Sequence, residues 1–167
     1  MKEVKILQNI RIGQSTDIHK LEEGLRLTIG GEHIECSKGC VAHSDGDVLT
    51  HAITEAIIGA LGLGDLGGFF SDSDPKNENR NSLEMLEEIR DVMVRHGYSI
   101  INIDSIVILE EPKLKKYSEK MRKNIAKSLR IDYNLVNIKA TRGEEIGFIG
   151  RKEGIMAQAV VLLEKNV

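Results

Sequence analysis

One stretch constrains the rest of the chain: residues 41–66, with AHSDGDVLTHAITEAIIGALGLGDL at its heart. It reads as a loop running into a buried, amphipathic helix. Ser44, Asp45 and Asp47 offer oxygen acceptors suited to a helix N-terminus, where free N–H groups and the dipole favour them. Val48, Ala52, Ile53, Ala56, Ile57 and Ala60 recur at helical spacing and give the helix a core face. Gly62 and Gly64 close it, since glycine takes the left-handed conformation without strain. His51 lies one turn beyond Asp47, so both project from the same face. Polar groups gather at one end of an anchored helix, and the chemistry is expected there.

The 167 residues suffice for one domain whose core needs no staples. A net charge of −3, spread along the chain, gives no reason to expect nucleic acid or a membrane surface as partner. The basic run Lys113, Lys115, Lys116, Lys120, Arg122 and Lys123 reads as a solvated helix face. Cys36 and Cys40 lack CxxC spacing and suggest no disulfide framework, so a cytoplasmic, reducing setting is expected. The opening MKEVKILQNIRIG is too polar for a signal peptide, and no segment approaches the ~20 apolar residues that span a bilayer.

In chain order, Ile6 to Gly13 reads as a first strand, continued by Gln14 to His19 as extended chain or turn. Leu25–Ile29 and His33–Cys36, joined by Gly30-Gly31, form a predicted hairpin with a tight primed turn. After the central helix, Gly67 to Arg80 reads as a long polar loop. A helix from Ser82 to about His96 follows, with Leu83, Leu86, Ile89, Val92 and Met93 inward. Tyr98 to Leu109 is a β-branched strand. A third helix carries Met121, Ile125 and Leu129; Leu135–Ala140 and Ile155–Leu163 are the last strands. Strands alternating with helices predict an α/β (α+β) fold. Its mixed sheet of four to five strands has helices on one face, plus the hairpin. Residues 1–10 are an extension or the start of the first strand, and 11–165 a single domain.

Asp17 and His19 are two apart in extended chain, so their side chains point the same way. With His51 they make a His₂-Asp set with a free fourth position, which suits a catalytic zinc ion. Alone, Asp-x-His also reads as exposed polar residues. The His43–Asp47 phrase reads either as a capped helix or as a phosphate or hydroxyl site, the latter needing a cation between its aspartates. Asp47 could also orient His51. Asp72 and Asp74 are turn residues or part of a loop closing over substrate. Glu144 is an isolated acid after a strand. There is no Walker A loop, GxSxG or GxGxxG, which removes the commonest kinase, hydrolase and dehydrogenase readings.

Taken together, RIG, Asp17-Ile18-His19, Gly30-Gly31, AHSDGDVLTHAITEAIIGALGLGDLG, FFSDSDP, EEPKL, VNIKAT and GFIGRKEGI resemble a known family in order and spacing. That family is the 2-C-methyl-D-erythritol 2,4-cyclodiphosphate synthases, and the likeness runs from about Arg11 to Leu163. The resemblance implies a homotrimer with active sites between subunits. It implies conversion of 4-diphosphocytidyl-methylerythritol 2-phosphate to the cyclic diphosphate and CMP, on the non-mevalonate route to isoprenoids. By the same likeness, Asp17, His19 and His51 hold zinc or another divalent ion. Glu144 helps hold magnesium or manganese on the bridging phosphates. His43 and Ser44 match a substrate-contacting flap, Asp65 and Gly67 hold the methylerythritol hydroxyls, and Asp72 and Asp74 belong to a loop that orders over ligand. Lys113, Leu114, Ala140, Thr141 and Arg142 fall where the cytidine diphosphate end binds. Gly147, Phe148, Arg151 and Glu153 match the lining of a cavity on the trimer axis that holds isoprenoid diphosphates in relatives; the alternative is an intersubunit ion pair of Arg151 with Glu153.

The chain departs from the family pattern in places. Gln14-Ser15-Thr16 replaces a His-Gly-aromatic run, Ser71 a proline, and Thr141-Arg142-Gly143 a run of threonines. Arg142 either supplies a charged clamp for phosphate or fills the nucleotide pocket. The expected activity is that of the synthase. The alternatives are a catalytically impaired trimer that binds metal and an isoprenoid diphosphate, or a simple metal-dependent phosphohydrolase.

Overall fold

The computed structural model describes residues 9–71 and 73–166. The expected strand start at Ile6 and most of the 1–10 extension lie outside the described residues, as does Asp72. The sheet has five strands: β1 (Ile10–Glu23), β4 (Lys38–Val41), β5 (Tyr98–Ile108), β6 (Val136–Thr141) and β7 (Gly154–Lys165). Their order is β4-β1-β7-β5-β6. Only β5 and β6 run parallel; the other neighbours are antiparallel, so the sheet is mixed as the sequence predicts. The first strand does not stop at Gly13. It continues through Asp17 and His19 because β7 pairs it from Ile10 to Lys20 and β4 takes over from Lys20 to Glu23.

Helix α1 (Val48–Leu61) lies on this sheet. The contact is close because small residues meet there. Ser15, Ala157 and Ala159 are buried beneath the helix, and a Cβ added to Gly13 would come 1.8 Å from the Ala56 carbonyl oxygen. The expected amphipathic helix with one core face is corrected: every residue of α1 except Glu55 and Gly59 is buried. The sheet covers one side, while helix α3 (Ser82–Arg95) packs along another and also touches β5. Gly62 ends α1 at φ 74°, as expected. Arg11 adds a cation there, donating from Nη1 to the Ala60 and Leu61 carbonyls at 3.3 and 3.1 Å.

The hairpin β2 (Leu27–Ile29) and β3 (Glu32–Ile34) turns on Gly30 and Gly31, at φ 57° and 69°. Both positive angles match a primed two-residue turn. Space also demands glycine, since a Cβ on Gly30 would lie 2.8 Å from Met121 of helix α4 (Ser118–Leu129) and one on Gly31 would lie 2.3 Å from Leu83. Helix α3 buries Met85 with Leu86, Ile89 and Met93, whereas Leu83 and Val92 are half-buried. The expected loop at residues 67–80 is more regular than predicted. It begins in a short helix, α2 (Leu66–Phe69), capped by Asp65, and holds a 3₁₀ turn, Pro75–Asn77, capped by Asp74. The basic run is solvated and partly neutralised, with Lys116 on Glu35, Lys120 on Glu32 and Lys123 on Glu119. No described helix is long and apolar enough to cross a membrane.

Candidate metal centre and nucleotide cavity

Strand β1 turns Asp17 and His19 towards α1, where His51 faces them from the helix's first turn. Asp17 Oδ2 is 2.9 Å from His19 Nε2 and 3.1 Å from His51 Nδ1, and the two imidazole nitrogens are 3.3 Å apart. One ligand atom from each residue thus converges on one point. The donor set fits a divalent ion. His19 Nδ1 lies 3.3 Å from the Val41 carbonyl, so it donates there and leaves Nε2 as the metal-side nitrogen. Burial pushes the Asp17 carboxyl up, but its contacts with the His19 and His51 rings more than offset it and hold it well below the carboxylate range. Burial opposes charging His19; the Asp17 carboxylate outweighs that and raises its pKa.

The capped-helix reading of Asp47 is correct, and its suggested role in orienting His51 is not. The fully buried Asp47 carboxylate accepts from Gly30 N at 2.8 Å, Gly31 N at 2.6 Å, Thr50 N at 3.0 Å and Thr50 Oγ1 at 2.8 Å. It spends its lone pairs tying the hairpin to α1. His51 Nε2 instead meets Ser82 Oγ at 2.9 Å and Ser44 Oγ at 3.1 Å. Ser82, missed in the sequence because it looks like the first residue of an ordinary helix, is fully buried. Asp45 binds the Ser82 hydroxyl as well as its backbone N–H.

The remaining predicted residues divide between two regions. His43 is exposed beside the centre, and its carbonyl accepts from Asn79 N at 2.7 Å. Asp65 and Gly67 are exposed in and beside α2, which folds back along α1: Leu66 N donates to Glu55 Oε1 at 3.4 Å, one turn beyond His51. Asp74 is exposed in the loop after α2. Across the sheet, Lys113, Leu114, Ala140, Thr141 and Arg142 line one cavity of about 200 Å³ with Leu109, Pro112 and Lys115. Glu110, another residue the sequence did not single out, is buried under it. Its carboxylate accepts from Arg142 Nη2 and Gly143 N, each at 3.0 Å, and these contacts hold it below its usual range despite desolvation. Arg142 therefore lies in the cavity wall, gripped from beneath, with a half-exposed side chain.

Glu144 is exposed just past β6, and the structure does not group it with the three ligands. Phe148, in the short helix α5 (Gly147–Gly150), lies over Gly154. Arg151 forms a two-pronged ion pair with Glu153 within a single chain, at 2.9 and 3.0 Å.

A family model described as the YgbB family matches residues 10–164. The chain belongs to that family. Its curated relatives carry the name 2-C-methyl-D-erythritol 2,4-cyclodiphosphate synthase. The Fusobacterium nucleatum protein is 48% identical over 94% of this chain and 98% of its own length. The Listeria monocytogenes protein is 51% identical over 93% and 99%. Among solved structures, the bifunctional IspDF from Campylobacter jejuni superposes with a TM-score of 0.90 at 44% identity, covering 93% of this chain and 42% of that one. A Plasmodium falciparum IspF, solved as a CDP complex, gives 0.84 at 37% identity over 95% and 98%. The synthase family thus accounts for nearly the whole described chain, and both regions of predicted site residues lie within the match.

Proposed function

We propose that the protein is a lyase that converts 4-diphosphocytidyl-2-C-methyl-D-erythritol 2-phosphate to 2-C-methyl-D-erythritol 2,4-cyclodiphosphate and CMP. The observation that carries this is the convergence of Asp17, His19 and His51 on one point in a chain of this family. An oxygen of the 2-phosphate forms a bond to the β-phosphorus as the bond from that phosphorus to the CMP oxygen breaks. Such a reaction depends on positioning and charge neutralisation rather than on covalent help from the protein. Zinc or another divalent ion at Asp17, His19 and His51, with magnesium or manganese at Glu144 and the bridging phosphates, would supply that neutralisation.

The chain's own residues hold the two ends of the substrate. His43 and Ser44 contact the phosphate end, and Asp65 and Gly67 take the methylerythritol hydroxyls. Lys113, Leu114, Ala140 and Thr141 receive the cytidine diphosphate, with Arg142 as a phosphate clamp in place of hydroxyls. The loop carrying Asp72 and Asp74 excludes water, which would otherwise compete as nucleophile. Residues 11–165 act as one domain, and two cysteines outside any disulfide suit a cytoplasmic setting.

The site lies between subunits of a homotrimer. Three strand spacings, roughly 14 Å, separate β6, with Ala140 and Thr141, from Asp17 on β1 within one chain, which favours a second copy as the source of the nucleotide end. The sheet face away from α1 exposes Ile12 (69%), Ile18 (54%) and Val160 (38%), an apolar surface suited to another copy. Phe148 and Arg151 are placed at the trimer axis, where an isoprenoid diphosphate would compete with Glu153 for the guanidinium.

Phosphorus NMR of the protein with the substrate and magnesium or manganese tests the reading. Cyclic diphosphate plus CMP is expected. CMP with an open-chain product would make the protein a hydrolase, and no turnover with zinc bound would leave a binding protein.

A further inference from the structure

The hydrogen bonds behind His51 determine which of its nitrogens carries a proton, and this deepens the metal-site reading on which it rests. Ser82 Oγ touches two groups, His51 Nε2 at 2.9 Å and the Asp45 carboxylate. A carboxylate only accepts, and a hydroxyl has one hydrogen to give. That hydrogen goes to Asp45, so the Ser82 oxygen turns a lone pair to His51. Two lone pairs facing each other at 2.9 Å would repel, hence Nε2 holds the proton and donates it. Ser44 Oγ, 3.1 Å from the same nitrogen, takes the Gly46 N–H at 3.3 Å and serves as a second acceptor. His51 Nδ1 is then the nitrogen left for the metal side, beside Asp17 Oδ2 and His19 Nε2.

We propose that Ser82, oriented by Asp45, is a positioning residue that fixes the ring and tautomer of the metal ligand His51. Half-buried Asp45 is held by three further hydrogen bonds. Its backbone N–H donates to the Arg80 carbonyl at 3.1 Å, its Oδ1 accepts from Asp47 N at 3.2 Å, and its Oδ2 accepts from Ser82 N at 3.0 Å. Ser82 itself is fully buried at the start of α3, so solvent cannot replace the hydroxyl. Partners of this kind keep a ligating imidazole in its binding orientation, and their removal typically weakens metal binding about 10- to 100-fold.

The test measures zinc affinity by competition with a chromophoric chelator, alongside ¹⁵N NMR of the histidine rings, in the full chain and in Ser82→Ala and Asp45→Asn. Ser82→Ala is expected to bind zinc about 10- to 100-fold more weakly and to lose the Nε2–H signature of His51. Asp45→Asn keeps the serine but frees its hydrogen, and a smaller loss with a mixed tautomer is expected. Affinity within twofold of the parent in Ser82→Ala, or in Asp45→Asn should Ser82→Ala not fold, would overturn the proposal. Weaker binding with an unchanged His51 tautomer would overturn it as well, since packing alone would do that. His51→Ala separates the two levels. If it loses zinc while Ser82→Ala does not, the metal site stands and the positioning role falls; if it retains zinc, the metal site itself is wrong.

Discussion

Asp17, His19 and His51 sit on a long interior strand and a buried helix, whereas Lys113, Thr141 and Arg142 ring a cavity at the exposed ends of β5 and β6. The first group is pre-arranged. Each ring nitrogen has a partner, and Asp47 and Asp45 hold the elements on either side through backbone N–H groups. The second has an apolar floor that includes buried Leu109 and Leu114, a rim of Lys113, Lys115 and Arg142, and Glu110 gripping Arg142 from beneath. The contrast follows from the demands on each end. On the proposed function, a metal centre loses affinity if its ligands wander, while a nucleotide cavity must admit and release its occupant. Arg142 and Gly143 fall in the second region, where Arg142 pairs with buried Glu110 and Gly143 leaves no room for a side chain, since a Cβ there would come 2.8 Å from Gly150 N.

The largest effect should come from breaking the scaffold of the first region. Asp47→Ala removes a helix cap and strands the Gly30 and Gly31 N–H groups, which together should cost about 3–5 kcal/mol. Thermal unfolding should show a fall of roughly 10 °C. A shift under about 2 °C would mean that the hairpin is not held through this carboxylate. His19→Ala comes next. Zinc affinity should drop more than about 100-fold with loss of turnover, since a ligand itself is removed. CDP affinity, titrated separately, should fall much less than zinc affinity, because the cavity of Lys113, Thr141 and Arg142 still holds the nucleotide and only its phosphates reach the metal of the neighbouring copy. A parallel loss of CDP binding would show that the two regions are one unit.

Those two variants also separate what the sequence could tell from what it could not. Periodicity located α1, α3 and α4, and paired glycines located the hairpin, because local sterics and burial leave a repeating trace. The Asp-x-His spacing points to two of the three candidate ligands, since alternation in a strand is a local rule. What escaped were partners made by tertiary contact. Ser82 and Glu110 lie 31 and 32 residues from the side chains they serve, and nothing near them in the chain marks the pairing. Asp47 is legible only in part. Its cap is local and legible, but its grip on Gly30 and Gly31 crosses 17 and 16 residues and exhausts the lone pairs once offered to His51. The all-round burial of α1 was hidden for a related reason: a helix sandwiched between layers keeps the periodicity of one with a single buried face.

A smaller effect is expected in the second region. Arg142→Thr restores the family residue and removes one charged contact from a half-exposed site. The substrate KM should rise about 3- to 10-fold with kcat within twofold and zinc affinity unchanged. A collapse in kcat would show that Arg142 acts on the reacting phosphates rather than on binding, and the loose region would then carry part of the chemistry.

The smallest perturbation asks whether the first region opens at all. Cys40 is buried on β4 behind the centre, and burial, with the nearby carboxylates of Asp47, Asp17 and Asp45, pushes its thiol up to about 12. At pH 8 only about one part in 10⁴ is then thiolate, the reactive form. Cys36 is half-buried, between β3 and β4 in the chain. A disulfide reagent at pH 8 should therefore modify one thiol quickly in the native protein and both after denaturation. Cys40 labelling at least about 100-fold slower than Cys36 is expected if the region stays closed. Equal rates would mean that β4 detaches from β1 often enough to expose the thiol. The Val41 carbonyl, which holds the His19 tautomer, would detach with it. In Asp47→Ala the Cys40 rate should climb while Cys36 stays the same, because the lost carboxylate both anchors the neighbouring turn and suppresses the thiolate. That pattern would assign the rigidity of the metal end to a single buried aspartate.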